Sequence, residues 1–174
     1  MTPVDDGAGV VALSADDERA IRATVLRYCR GIDRMDQDLV RSCYHADATD
    51  SHGSFDGGVE AFLEWVWHLL ERYSMTMHYV ANQLVEPFAE GRARCESYGV
   101  AVHQTVGGEA RGNLVTGFRF IDDFERRDGE WRIARRVATT EWSRVDREED
   151  RWAWPGTFVT GRRDRSDPVY APWR

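Results

Sequence analysis

Behind Ser14, apolar residues recur at intervals of three and four: Ile21, Val25, Tyr28, Cys29 and Ile32 form one stripe, which predicts a long amphipathic helix running to the RGIDRMD segment. Ser14 is the expected N-cap, because Asp16, Asp17 and Glu18 follow in the first turn, where carboxylates meet the positive end of the helix dipole. A short second helix is predicted over 36–44, with Asp36 as its cap and Leu39, Val40 and Cys43 on one side. The polar, turn-rich stretch HADATDSHGSFDGG reads as a loop. Val59, Phe62, Leu63, Val66, Leu69, Leu70 and Tyr73 then return to helical spacing and predict a third helix.

From Met77 the texture changes. MHYVANQLVEPF, RARCESYGVAVHQTV, GNLVTGFRFIDDFERR and EWRIARRVATTEWSR alternate, or run rich in β-branched and aromatic residues, and are read as four strands. Asp128 and Gly129 between the last two are a strong hairpin signal, since both tolerate positive φ. Helices gathered first and antiparallel strands gathered later predict an α+β domain with one sheet curled over three N-terminal helices. The first thirteen residues are weakly patterned and read as a flexible arm, followed by one domain over 14–145. The remainder, 146–174, is charged and then aromatic without periodicity, and is expected to pack over the domain or a neighbouring subunit.

The length of 174 residues, 42% of them apolar, suits a single core and therefore a single site. A net charge of −7 excludes the basic face of a general phosphate-backbone binder, so nucleic acid is not an expected partner. The first residues lack the cationic and apolar regions of a signal peptide, and no stretch approaches membrane-spanning length, so a cytoplasmic protein without a membrane partner is expected. Three widely spaced cysteines, Cys29, Cys43 and Cys95, offer neither a disulfide framework nor a CxxC motif and read as buried thiols. Seven Trp, seven Phe and six Tyr exceed what a core of this size needs, which points to an aromatic-lined pocket or a subunit interface.

The order of elements, together with RYCRGIDRMD, MHYVANQLVE and FERRDGEWRIARR, resembles the SnoaL-like family of the wider nuclear transport factor 2-like, ketosteroid isomerase and scytalone dehydratase group. The resemblance covers roughly residues 14–145 and implies a cone-shaped domain with a strongly curved, mainly antiparallel sheet, working without a cofactor and as a homo-oligomer, dimer or trimer. Its motifs are most similar to those of bile-acid 7α-dehydratase and hexachlorocyclohexane dehydrochlorinase. That similarity implies that Asp33 orients His78, that Arg136 projects into the pocket, and that Tyr28 matches a tyrosine of the dehydratase. The dehydrochlorinase has a lysine in place of Tyr28, so dehydration fits better than chloride loss.

The chemistry of such a set is coherent. An imidazole takes a proton near pH 7, and a carboxylate on its other nitrogen fixes the tautomer. A cation or phenol such as Arg136 or Tyr28 would stabilise developing negative charge. On residue pattern alone, Asp33 also suits a residue ending the first helix, Tyr28 suits plain core, and either Arg135 or Arg136 could face inward. Asn82, four residues beyond His78, falls on the same strand face by period two and is a candidate amide donor. Trp65, Tyr98, Phe118, Phe120 and Trp142 are candidate walls for a hydrophobic ring-containing substrate. His45, Asp47, Asp50 and His52 fit no metal-ligand spacing and read as a solvated loop, so no metal is expected. The functional expectation is a dehydratase-type lyase. An isomerase or polyketide cyclase shares the same acid–base pair, and a non-catalytic subunit like the β-subunits of ring-hydroxylating dioxygenases shares the fold.

Overall fold

The computed structural model describes residues 12–106 and 112–172, and the arm expected over 1–13 lies almost wholly outside them. Helix α1 spans Ala15–Asp33. Ser14 caps it in a reciprocal capping box: Ser14 Oγ accepts the Asp17 amide at 3.1 Å while Asp17 reaches back to the Ser14 amide at 3.4 Å. The stripe Ile21, Val25, Tyr28, Cys29 and Ile32 is buried along its inner face. Helix α2, Gln37–Ser42, is shorter than expected, because Tyr44 already opens a strand.

The stretch expected to be a loop is two strands, β1 (Tyr44–His52) and β2 (Phe55–Gly58), joined by a turn with Gly53 at φ 61°. The sheet therefore has six strands rather than four. Polarity misled the reading here, since Asp50 and His45 are buried polar residues rather than solvated ones. What makes the segment a strand is its neighbours: β1 pairs antiparallel with β2 and parallel with the last strand, so its backbone groups are satisfied in the sheet. Helix α3, Val59–Leu70, ends before Tyr73, which begins β3.

Strands β3 (Tyr73–Ala89), β4 (Arg92–Thr105), β5 (Asn113–Arg127) and β6 (Glu130–Asp146) form an antiparallel meander, and the sheet order is β2-β1-β6-β5-β4-β3. The β5–β6 turn has Asp128 at φ 52° and Gly129 at φ 83°, the paired positive values that the Asp-Gly dipeptide permits. Register shifts after Tyr73, Val80, Gly117 and Asp123 break the ladders, and bulges of this kind bend strands and raise their twist. The result is a curved, unclosed mixed sheet whose concave face packs on the helices, with Ile21, Val25, Phe62, Leu63, Cys95, Phe120, Phe124 and Ile133 in the core. No helix among the described residues is long and apolar enough to cross a membrane.

Beyond β6 the chain returns across the turn between α1 and α2. Arg163 donates to the carbonyls of Leu70 and Tyr73, Arg165 and Tyr170 both reach the buried Asp36 at 3.1 and 3.0 Å, and Arg34 pairs with Asp167 at 3.2 Å. Trp152, Trp154 and Phe158 cluster with one another and stay exposed.

Candidate active site

Asp33 is the last residue of α1, and its carboxylate is aimed at the first part of β3. One oxygen accepts the backbone amide of His78 at 2.9 Å and the other meets Nδ1 of the same residue at 2.7 Å. A carboxylate can only accept, so Nδ1 carries the proton and Nε2 presents its lone pair. Holding both the backbone and the ring leaves the imidazole little freedom. Both side chains are close to nine-tenths buried, which shields the pair from solvent.

His78 belongs to the inward register of β3 with Thr76, opposite Ala101 and His103 of β4. Its ring stands edge-on to His103 at 5.6 Å and to Phe118 at 5.9 Å. Phe118 contacts Phe120 at 4.4 Å, and Phe120 in turn contacts His52 at 5.9 Å, beside Trp65 and Phe62. A strip of rings thus crosses the concave face. Gly99 makes room for it: a Cβ there would stand 2.3 Å from Phe118 and 2.7 Å from the Tyr79 carbonyl.

Two clefts lie toward the His78 end of this strip. One of about 620 Å³ is lined by Tyr73, Thr105, Leu114 and Val145, and it meets the imidazoles through the Tyr73–His103 contact at 4.9 Å. The other, about 310 Å³, touches Asp33 and His78 directly and is bounded by Leu26, Cys29, Val80 and Val169 of the C-terminal segment. Burial, reinforced by the neighbouring His78, pushes the His103 imidazole down to about 4.

Deeper in the cone lies a buried charged network. The guanidinium of Arg136 grips Asp122 through two bonds of 2.6 and 2.7 Å, donates to the Tyr44 hydroxyl at 3.3 Å, and is sandwiched 4.0 Å from the ring centres of both Tyr28 and Phe120. Tyr44 in turn donates to Asp50 at 2.6 Å. Burial works against the charge of Arg136, but Asp122 together with the flanking Tyr44 and Tyr28 more than offsets it and keeps the guanidinium protonated. Burial also raises the Tyr28 and Tyr44 phenols far above their ordinary range, so both remain O–H donors.

The SnoaL-like domain family matches residues 14–137 of the sequence. The chain belongs to that family. Among solved structures, this SnoaL-like chain is similar to a Novosphingobium aromaticivorans protein assigned as a scytalone dehydratase, with a TM-score of 0.69 and 20% identity over 83% of this chain and 96% of that one. It is also similar to two forms of hexachlorocyclohexane dehydrochlorinase. One has a TM-score of 0.73 and 19% identity over 81% of this chain and 95% of that one. The other, from Novosphingobium barchaimii, has a TM-score of 0.72 and 17% identity over 80% and 96%. At such identities the likeness is one of fold. No curated protein sequence matches the chain.

Within the SnoaL-like cone, the structure brings Asp33, His78, Phe118, Phe120 and Trp65 to the concave side, and Tyr28 and Arg136 to its buried depth. Arg135 points outward toward Asp123. Three residues expected at the site are not there. Asn82 is exposed, because the bulge between Val80 and Gln83 inserts one residue and hands the inward position to Gln83, which donates to Ser97 at 3.0 Å. Tyr98 is 42% exposed on the opposite face of β4, under Arg119. Trp142 is 45% exposed and lies over Gly117, since the extra residue Glu141 shifts β6 out of phase after Thr140. The sequence reading missed Tyr44 and Asp122, and gave Asp50 and His52 to a solvated loop. Alternation along β5, with Phe118, Phe120, Asp122 and Phe124 on one parity, was the signal that places Asp122 inward.

Proposed function

We propose that the protein is a cofactor-independent lyase of the dehydratase kind, abstracting a carbon-bound proton from a hydrophobic cyclic or polycyclic metabolite and eliminating water. The observation that carries this reading is the 2.7 Å contact between Asp33 and Nδ1 of His78, which leaves Nε2 as a base on the concave face beside the Phe118 ring. Family membership and fold neighbours that include a dehydrochlorinase support it. Phe118, Phe120 and Trp65 favour a flat, apolar substrate. Arg136 acts through the field of its network, because the guanidinium is fully buried and turned toward Asp122 and Tyr44, and Tyr28 holds it in place. On the same reading, the apolar outer-face residues Met77, Tyr79 and Trp142 suit a homo-oligomer, dimer or trimer, which light scattering measures directly.

The test is turnover of hydroxylated ring ketones followed by mass spectrometry. Elimination lowers the product mass by one water, whereas an isomerase or cyclase working with the same base returns a product of unchanged mass. His78→Ala is expected to lower turnover by about 10²- to 10⁴-fold with the fold intact. Asp33→Asn is expected to fall in the same range, because an amide can present its N–H to Nδ1 and select the wrong tautomer. Full activity in His78→Ala removes His78 as the base.

A further inference from the structure

Among the buried polar atoms left without a hydrogen bond are Oδ1 of Asp50 and Nδ1 of His52. Asp50 is wholly buried, and only its Oδ2 is used, by Tyr44. Its free oxygen faces Nδ1 of His52 at 3.5 Å, an ion-pair distance slightly too long for a hydrogen bond. An unpaired carboxylate oxygen in such surroundings is costly, and a small rotation of the imidazole satisfies it. A second carboxylate–imidazole pair therefore stands on the concave face, separated from Asp33–His78 by the Phe118 and Phe120 rings.

We propose that His52, held by Asp50, is the acid that protonates the departing hydroxyl while His78 removes the carbon-bound proton; the assignment rests on the lyase reading above. Three observations single it out. Dehydration needs a proton donor for a poor leaving group, and a carboxylate stabilises the imidazolium that serves as one. His103, the other imidazole near His78, is held neutral by its burial and faces no carboxylate of its own among the described residues. The phenols of Tyr28 and Tyr44 are buried beside Arg136, and Tyr44 already spends its proton on Asp50. The His52 side chain, in contrast, is 30% exposed, so its ring is not sealed in the core as those phenols are.

The step balances without an added reagent. Nε2 of His78 takes the proton, the C–H electron pair becomes the new C=C bond, and the C–O bond breaks with its pair on oxygen. That oxygen takes the proton of the His52 imidazolium and leaves as water. His78 then returns its proton to solvent and His52 takes one up. Base and acid at opposite ends of a phenylalanine floor select a flat, fused-ring ketone with a hydroxyl β to the carbonyl.

Two probes separate the roles. 1-Tetralone exchanges its C2 hydrogen for deuterium in D₂O, which needs only the base. 3-Hydroxy-1-tetralone loses water to give 1-naphthol, which needs base and acid. Wild type is expected to accelerate both, and His78→Ala to lose both. His52→Gln is expected to lower naphthol formation at least 100-fold more than it lowers exchange, and the exchange that persists certifies an assembled site. An equal fall in both reactions, repeated in His52→Asn, or undiminished naphthol formation overturns the assignment. Exchange without elimination by wild type overturns it while keeping His78 as a base. Neither reaction in wild type removes the lyase reading for such ketones, and the assignment with it.

Discussion

Individual side chains in this cone do different work at similar burial. Asp33 and Asp122 are both buried carboxylates, yet Asp33 faces an imidazole at the edge of a cleft and Asp122 faces a guanidinium with no exposure at all. Removing one partner of a fully buried pair costs about 3–5 kcal/mol, so Arg136 and Asp122 serve the architecture whatever else they do. His103 supplies a pH signature. Its imidazole lies at about 4 in the fold, below the 6.5 of an unperturbed histidine, so the folded state favours the neutral ring. The stability it contributes is fully present above about pH 6.5 and is lost as pH falls from there through about 4, by on the order of 3 kcal/mol. Melting curves of wild type and His103→Gln are expected to diverge least at the acid end of that window; parallel curves throughout refute the account.

At the scale of elements, bulges decide which residues meet. The extra residue between Val80 and Gln83 reverses the inward parity of β3, and the one at Glu141 does the same for β6. Alternation is readable in the sequence, whereas its interruptions depend on how one strand bends against the next. Asn82 and Trp142 were misplaced for this reason. The close pairing of Gly99 with Phe118 tests the packing. Gly99→Ala is expected to cost about 1–3 kcal/mol, because the new methyl meets both the ring and the Tyr79 carbonyl. A melting temperature within a degree of wild type shows that the ring yields freely.

In the molecule as a whole, the C-terminal segment ties α1, α2 and β3 together around the site. It supplies Val169 to the cleft at Asp33 and His78, and it gives Asp36 its Arg165 and Tyr170 partners. Truncation after Asp146 is expected to lower the melting temperature by several degrees and to weaken binding of 1-naphthol, measured by fluorescence, by at least tenfold. Unchanged binding refutes a role for the segment at the site.

Much of this was determined by local sequence. The capped α1, the apolar stripe of α3, the Asp-Gly hairpin and the alternating long strands each follow from short-range periodicity and turn chemistry. Motif resemblance then named Asp33 and His78, which lie 45 residues apart. Only the tertiary structure turned a polar, loop-like stretch into β1, because β6, distant in the chain, satisfies the edge of its backbone that the β2 hairpin leaves open. The pairing of β1 with β6 also sets Asp50 beside Arg136 and leaves His52 on the aromatic strip. Such placements depend on contacts across more than eighty residues, and no local pattern of hydrophobic and polar positions encodes them.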